Sequence, residues 1–140
     1  MFLSPIGEIV QEEWKKTPAI RNNVKLDHFV VMPNHIHGIM IIDNWSVETH
    51  CNASLQDSIN NKNKFGPQSN NLPSIIRGFK GSVTRMAHHA GFTDFAWQPR
   101  YYDHIIVDDE DHNNIQDYIL TNVANWGKDK ENLEANFANE

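Results

Sequence analysis

Two histidines, one residue apart, stand in the run Met32-Pro33-Asn34-His35-Ile36-His37-Gly38-Ile39. In an extended strand, residues two apart project to the same side, so His35 and His37 present two imidazoles from one face. Two neutral imidazoles can share one divalent metal. By itself the spacing is a low-specificity signal, and more often marks a pair of surface or hydrogen-bonded histidines. A second pair lies far along the chain. In Asp117-Tyr118-Ile119-Leu120-Thr121-Asn122, helical periodicity puts Tyr118 and Asn122 on one face. A phenol beside an amide oxygen can supply a nucleophile and a metal ligand, or Tyr118 can complete the apolar face that Ile115 and Ile119 begin.

The elements that position these groups follow from the pattern. Ser4-Pro5, then Ile6, Ile9, Val10 and Trp14, predict a helix capped by Ser4 and ending near Thr17-Pro18. Leu26 to Met32 and His35 to Ile42 predict a β-hairpin broken at Pro33-Asn34. A two-residue turn there sets Val30 opposite His37 and His28 opposite Ile39, making His28 a third candidate ligand or a space-filling residue. After Gly38 the second strand is apolar on both parities, as in a strand buried on both faces. Residues 44–71 are rich in Asn and Ser and read as a long polar loop, which either contacts unpaired bases or is disordered. Pro73 opens a helix carrying Ile75, Ile76, Phe79, Val83, Met86, Ala87 and Ala90, with Gly91 placed to stop it. Phe95 to Val107 reads as an extended segment and strand. The acidic run Asp108 to Asp111 sits where the positive end of a helix dipole favours it, opening a helix with Ile115, Ile119, Val123 and Trp126 on one face. Residues 127–140 read as a polar tail.

Composition bounds the function. A chain of 140 residues with 39% hydrophobic content fits one domain. With a single cysteine, Cys51, neither an intrachain disulfide nor a multi-cysteine zinc site is available, and any metal falls to His, Asn, Gln or carboxylate. No run reaches the roughly 20 apolar residues of a membrane span, and the start lacks a signal-peptide pattern, so the expectation is a cytoplasmic protein with no membrane partner. The formal charge of −6 opposes broad electrostatic binding of nucleic acid. The charges are segregated, however. Arg77, Lys80 and Arg85 lie apart from the acidic run, so the local field differs from the net charge.

Four motifs in order carry a resemblance over most of the chain. They are Val30-Val31-Met32-Pro33-Asn34-His35-Ile36-His37-Gly38; Phe79-Lys80-Gly81-Ser82-Val83-Thr84-Arg85; Trp97-Gln98 with Tyr101-Tyr102-Asp103-His104-Ile105-Ile106; and Tyr118-Ile119 with Asn122 and Trp126. Together they resemble the single-tyrosine HUH transposases, especially the REP-associated tyrosine transposases. The resemblance implies an α+β, ferredoxin-like sandwich with an antiparallel sheet, cutting single-stranded DNA beside a hairpin. It implies Mg²⁺ or Mn²⁺ on His35, His37 and Asn122, with Tyr118 as the nucleophile that keeps a 5′-phosphotyrosine. Tyr101 and Tyr102 rank behind Tyr118, because they fall in a structural strand and lack a ligand at i+4. Arg77, Lys80, Thr84 and Arg85 are either DNA-backbone contacts or a solvated helix face.

Two departures sharpen these expectations. The family's first, central strand has no counterpart before Pro5, so the sheet should be rearranged, or completed by a homodimer that shares or exchanges a sheet edge. Val123 stands where such transposases commonly carry proline, letting the helix run on toward Trp126. A non-catalytic DNA-binding remnant or regulator with the same fold is the alternative function.

Overall fold

The computed structural model describes residues 2–43 and 70–128. The polar loop lies outside these residues apart from Asn70 and Asn71, and so does most of the tail. The elements run α1 (Pro5–Ile20), β1 (Val24–Val31), β2 (Ile36–Ile42), α2 (Leu72–His89) and α3 (Asp109–Asn125), with a 3-10 turn at Trp126–Lys128. Three helices and an antiparallel two-stranded sheet make an α+β fold.

Side-chain caps start each helix. Ser4 accepts from the Gly7 amide, Asn71 from the Ser74 amide at 3.0 Å, and Asp108 from the Asp111 amide at 2.8 Å. Each satisfies an amide that the first turn leaves without a helical partner. Gly91 closes α2 at φ 98°, a left-handed conformation that glycine adopts without strain. α1 does not stop at Thr17-Pro18 but runs through Pro18 to Ile20. So near the end, proline removes only the amide that would bond the Trp14 carbonyl, and the Arg21 amide still reaches the Thr17 carbonyl at 2.9 Å.

The hairpin turns in two residues. The Met32 amide donates to the His35 carbonyl at 2.8 Å, and Val31↔Ile36, Val30↔His37 and Phe29↔Gly38 pair as the spacing predicts. The register then shifts, because Leu26 pairs with Met40, leaving Asp27 and His28 both opposite Ile39. This β-bulge replaces the expected His28–Ile39 pairing.

One face of the hairpin, with Leu26, Phe29, Val31, Ile36 and Met40, packs on a core of Val10 and Trp14 from α1 and Phe79 and Val83 from α2. Trp14 meets Phe79 edge-on at 5.3 Å between ring centroids. A Cβ on Gly38 would lie 2.6 Å from Trp14 Cζ2, so the hairpin rests directly on the indole. α3 covers the other face.

Three expectations are corrected. β2 is not buried on both faces: Ile39 is buried but Ile41 is 51% exposed, because α3 does not extend over that end. Within α3 the buried residues are Ile119 and Asn122, and Val123 is exposed, the helix being turned so that its amide rather than its valine faces inward. Phe95 to Val107 forms no strand and joins no sheet: it bends at Pro99-Arg100, where Arg100 takes a left-handed φ of 73°. A strand needs a neighbour for its backbone groups, and none lies alongside among the described residues. Side chains hold this segment instead. Trp97 Nε1 donates to the Lys80 carbonyl at 3.1 Å, Lys80 Nζ donates to the carbonyls of Gln98 (3.0 Å) and Arg100 (2.7 Å), and the Val107 amide donates to Asp111.

Candidate metal and nucleophile site

His35 stands between the turn and β2, and His37, two residues on, lies within β2. Their Nε2 atoms lie 2.9 Å apart, with the rings nearly perpendicular. His35 Nδ1 donates to the Asn34 amide oxygen at 2.6 Å, which fixes the ring and leaves the Nε2 lone pair toward His37. Two ligands about 2.1 Å from a cation and at right angles to one another stand about 3.0 Å apart. The pair therefore has the spacing of two adjacent octahedral ligands.

α3 completes the surroundings. The Tyr118 ring meets the His37 ring edge-to-face at 5.2 Å, and the Trp126 ring lies 6.0 Å from His35. Asn122 is one helical turn from each, so the row Tyr118, Asn122, Trp126 lies along the histidine pair with the asparagine in the middle. Asn122 is 3% exposed, and its Nδ2 has no hydrogen-bond partner among the described residues. A buried amide nitrogen left without a partner costs roughly 1–3 kcal/mol. Among the described residues, no three His, Cys, Asp or Glu side chains are grouped to hold a metal. Asn122, buried on α3 one turn from Tyr118, is the candidate for a third ligand, through its amide oxygen.

Tyr118 is half exposed, so its hydroxyl is open to a large substrate. Tyr101 and Tyr102 are also exposed, but neither makes a ring contact among the described residues. His28 is engaged elsewhere. Its Nδ1 donates to Asp27 Oδ1 at 2.6 Å and lies 2.7 Å from the Gln116 amide, so the ring is held toward α3.

The four DNA-contact candidates separate. Lys80 and Thr84 are occupied within the chain, Lys80 on the two carbonyls above and Thr84 on the Lys80 carbonyl at 2.9 Å. Arg77 and Arg85 line a recess of about 340 Å³ between α1 and α2, together with Arg21, Ser82 and Glu13. Glu13 accepts hydrogen bonds from Lys16 and Ser82, which hold its carboxyl below the usual value. The recess lies in the helical layer across the hairpin from the histidine pair.

Sequence reasoning missed the polar contacts that join β1 to α3. Asp27 Oδ2 accepts from His112 Nε2 at 2.7 Å, while Oδ1 holds His28. The His112 bond, then the His28 bond, keep the Asp27 carboxyl below its ordinary value despite partial desolvation. These partners are 85 residues apart, and no local pattern announces them.

The fold and site thus describe a small α+β protein whose hairpin carries a histidine pair faced by a helix-borne tyrosine and asparagine. The chain is 36% identical over 130 residues to an uncharacterized protein of Haemophilus influenzae, a match covering 93% of this chain and 71% of that protein, and it belongs to the same family. No protein-family profile matches it, and no solved structure does.

Proposed function

We propose that the protein is a metal-dependent DNA strand transferase of the transposase kind, cleaving and rejoining single-stranded DNA beside a hairpin through a 5′-phosphotyrosine. The observation that carries this reading is the ring contact of Tyr118 with His37, whose Nε2 lies 2.9 Å from that of His35, with Asn122 buried one turn along α3 from Tyr118. Only the backbone fold brings these groups from opposite ends of the chain to one place.

His35 and His37, joined by the Asn122 amide, would hold Mg²⁺ or Mn²⁺. That ion would polarise the scissile phosphate and offset the charge that develops on it. The Tyr118 oxygen attacks phosphorus and forms the O–P bond while the bond from phosphorus to the 3′ oxygen breaks. The phenolic proton passes to solvent, and the departing 3′ oxygen takes up a proton to leave as a hydroxyl. Attack by a 3′-hydroxyl on the phosphotyrosine reverses the step, so rejoining needs no nucleotide cofactor. Asn34 keeps His35 in the tautomer that this role requires. Arg77 and Arg85 are suited to holding DNA backbone away from the reacting phosphate. An enzyme of this kind works in the cytoplasm, and no helix among the described residues is long and apolar enough to cross a membrane. The outer edges of β1 and β2, which pair with no other strand among the described residues, suit a homodimer that shares or exchanges a strand.

The test is adduct formation with a labelled single-stranded hairpin oligonucleotide and Mn²⁺. A covalent product that survives denaturing electrophoresis is expected, absent with chelator and absent in Tyr118→Phe. If Tyr118→Phe still forms it and Tyr101→Phe or Tyr102→Phe does not, the nucleophile is misassigned. The formal charge of −6 and the two-stranded sheet favour a second reading, a DNA-binding remnant or regulator without catalysis. Hairpin binding with no adduct at any Mn²⁺ concentration distinguishes it.

A further inference from the structure

We infer that Asp27 is a positioning residue that sets the rotation and height of α3 against the hairpin, and through α3 the placement of Asn122 and Tyr118 at the histidine pair. The consequence for metal binding rests on the function proposed above; the positional role does not.

α3 buries little apolar surface. Its buried residues are Ile119 and Asn122, and Leu120, Val123 and Tyr118 are exposed. Ile119 and half-buried Ile115 fix neither the rotation of a 17-residue helix nor its position along its axis, since hydrophobic contact is non-directional. A directional contact comes from β1, with a packing contact beside it. Asp27 receives His112 Nε2 at 2.7 Å, and His28, itself held by Asp27 at 2.6 Å, lies 2.7 Å from the Gln116 amide. His112 and Gln116 are one turn apart on one face, so the His112 hydrogen bond fixes the height of α3 while the Gln116 side chain packed against the His28 ring limits its rotation. Asn122 follows Gln116 at a rise of about 9 Å, and a rotation by one residue, about 100°, would carry it off the histidine pair.

The bulge makes this arrangement possible. In a regular strand with Leu26 facing the core, His28 would face the core as well. The extra residue opposite Ile39 turns Asp27 and His28 together toward α3 and still returns Phe29 to the core. The local loss of ladder pairing is thus spent where the site's second half docks. The groups facing Asp27 are His28 from its own strand and His112 from α3. A second pair, His104 and Asp111 at 2.8 Å, braces the first turn of α3 from the preceding segment.

Two readouts test this inference. The His37 ring protons sense the Tyr118 ring at 5.2 Å, so their NMR shifts report α3 docking without any metal. Asp27→Ala and His112→Leu should move the His37 shifts toward those of Tyr118→Leu, whereas His112→Gln, which keeps a donor for Asp27, should retain the wild-type shifts. Mn²⁺ titration followed by electron paramagnetic resonance supplies the second readout. Asp27→Ala should weaken binding about 10- to 100-fold, as loss of an orienting group does. In an Asn122→Ala background the same substitution should change it less than twofold, because its effect travels through Asn122. Unmoved His37 shifts in Asp27→Ala, or a full additional loss on top of Asn122→Ala, overturn the inference. Wild-type protein that shows the expected ring shifts but binds no Mn²⁺ overturns the proposed metal chemistry and upholds the positioning of α3.

Discussion

Replacing Gly38 with alanine adds one carbon at the point where the hairpin touches α1. That carbon would stand 2.6 Å from Trp14 Cζ2 and 3.2 Å from Phe29 Cβ, where ordinary contact begins at 3.4 Å, a shortfall of 0.8 Å against the indole. Trp14 cannot swing aside, being 4% exposed, edge-on to Phe79 and 6.1 Å from the Phe29 ring. The strain must be relieved by lifting β2 from α1, and such overpacking costs about 1–3 kcal/mol. At this chain length that is roughly 3–5 °C of melting temperature per kcal/mol. Urea unfolding followed by far-ultraviolet circular dichroism measures it, with Gly81→Ala as the control. Gly81 lies inside α2, and an added Cβ meets nothing within 4 Å, so alanine there should stabilise by about 0.5–1 kcal/mol. A Gly38→Ala protein within about 0.5 kcal/mol of wild type, or a Gly81→Ala protein equally damaged, would refute the reasoning. Because His37 adjoins Gly38, the same substitution should also loosen the 2.9 Å approach of the two imidazoles.

Two further outcomes are expected. Asp27, Asp111 and Glu13 have carboxyl pKa values lowered by hydrogen bonds, from His112, from His104, and from Lys16 and Ser82 respectively. A carboxyl lowered on folding stabilises above its unfolded value of about 4, and that contribution is lost as pH falls through the folded value. Denaturation midpoints should therefore be steady on this account from pH 7 to 5 and fall below about 4, with a shallower fall in Asp27→Asn. Lys80→Met removes the donors to the Gln98 and Arg100 carbonyls and should cost about 1 kcal/mol. Hydrogen exchange should then quicken in residues 97–103 while α1 is unchanged, and uniform protection in both would count against the bracing role.

Legibility in the sequence followed the range of the contacts. Ser4-Pro5, Pro73 with Gly91, and the acidic start of α3 are instructions carried within a turn or two of helix, and each element begins or ends where they predict. The Pro33-Asn34 turn likewise sets the near register of the hairpin, including Val30 opposite His37. The bulge at Asp27–His28 was not legible, since its partners stand on α3. Nor was the fate of Phe95 to Val107, whose composition suits a strand but whose state depends on a neighbour. Apolar periodicity placed Val123 on the inner face of α3. An uncompensated amide at Asn122 takes that place, and a pattern built on hydrophobicity does not foresee a buried polar residue. In the candidate site, the histidine pair and the Tyr118–Asn122 row could be read as two separate halves. Their meeting could not, because it depends on the docking of α3.

The two halves also differ in the order in which a folding chain can build them. His35, His37 and Asn34 are brought together by a two-residue turn, so forming the hairpin encloses almost no loop. The bond from Asp27 to His112 closes a stretch of 85 residues, and its entropy must be lost before the contact returns anything. The clip should therefore form early and be the last part to melt, whereas α3, with its thin apolar contact, is the first part to come away. Each partial opening would withdraw Tyr118 and Asn122 together and leave the two imidazoles still paired, so that local unfolding disarms the site without dismantling it.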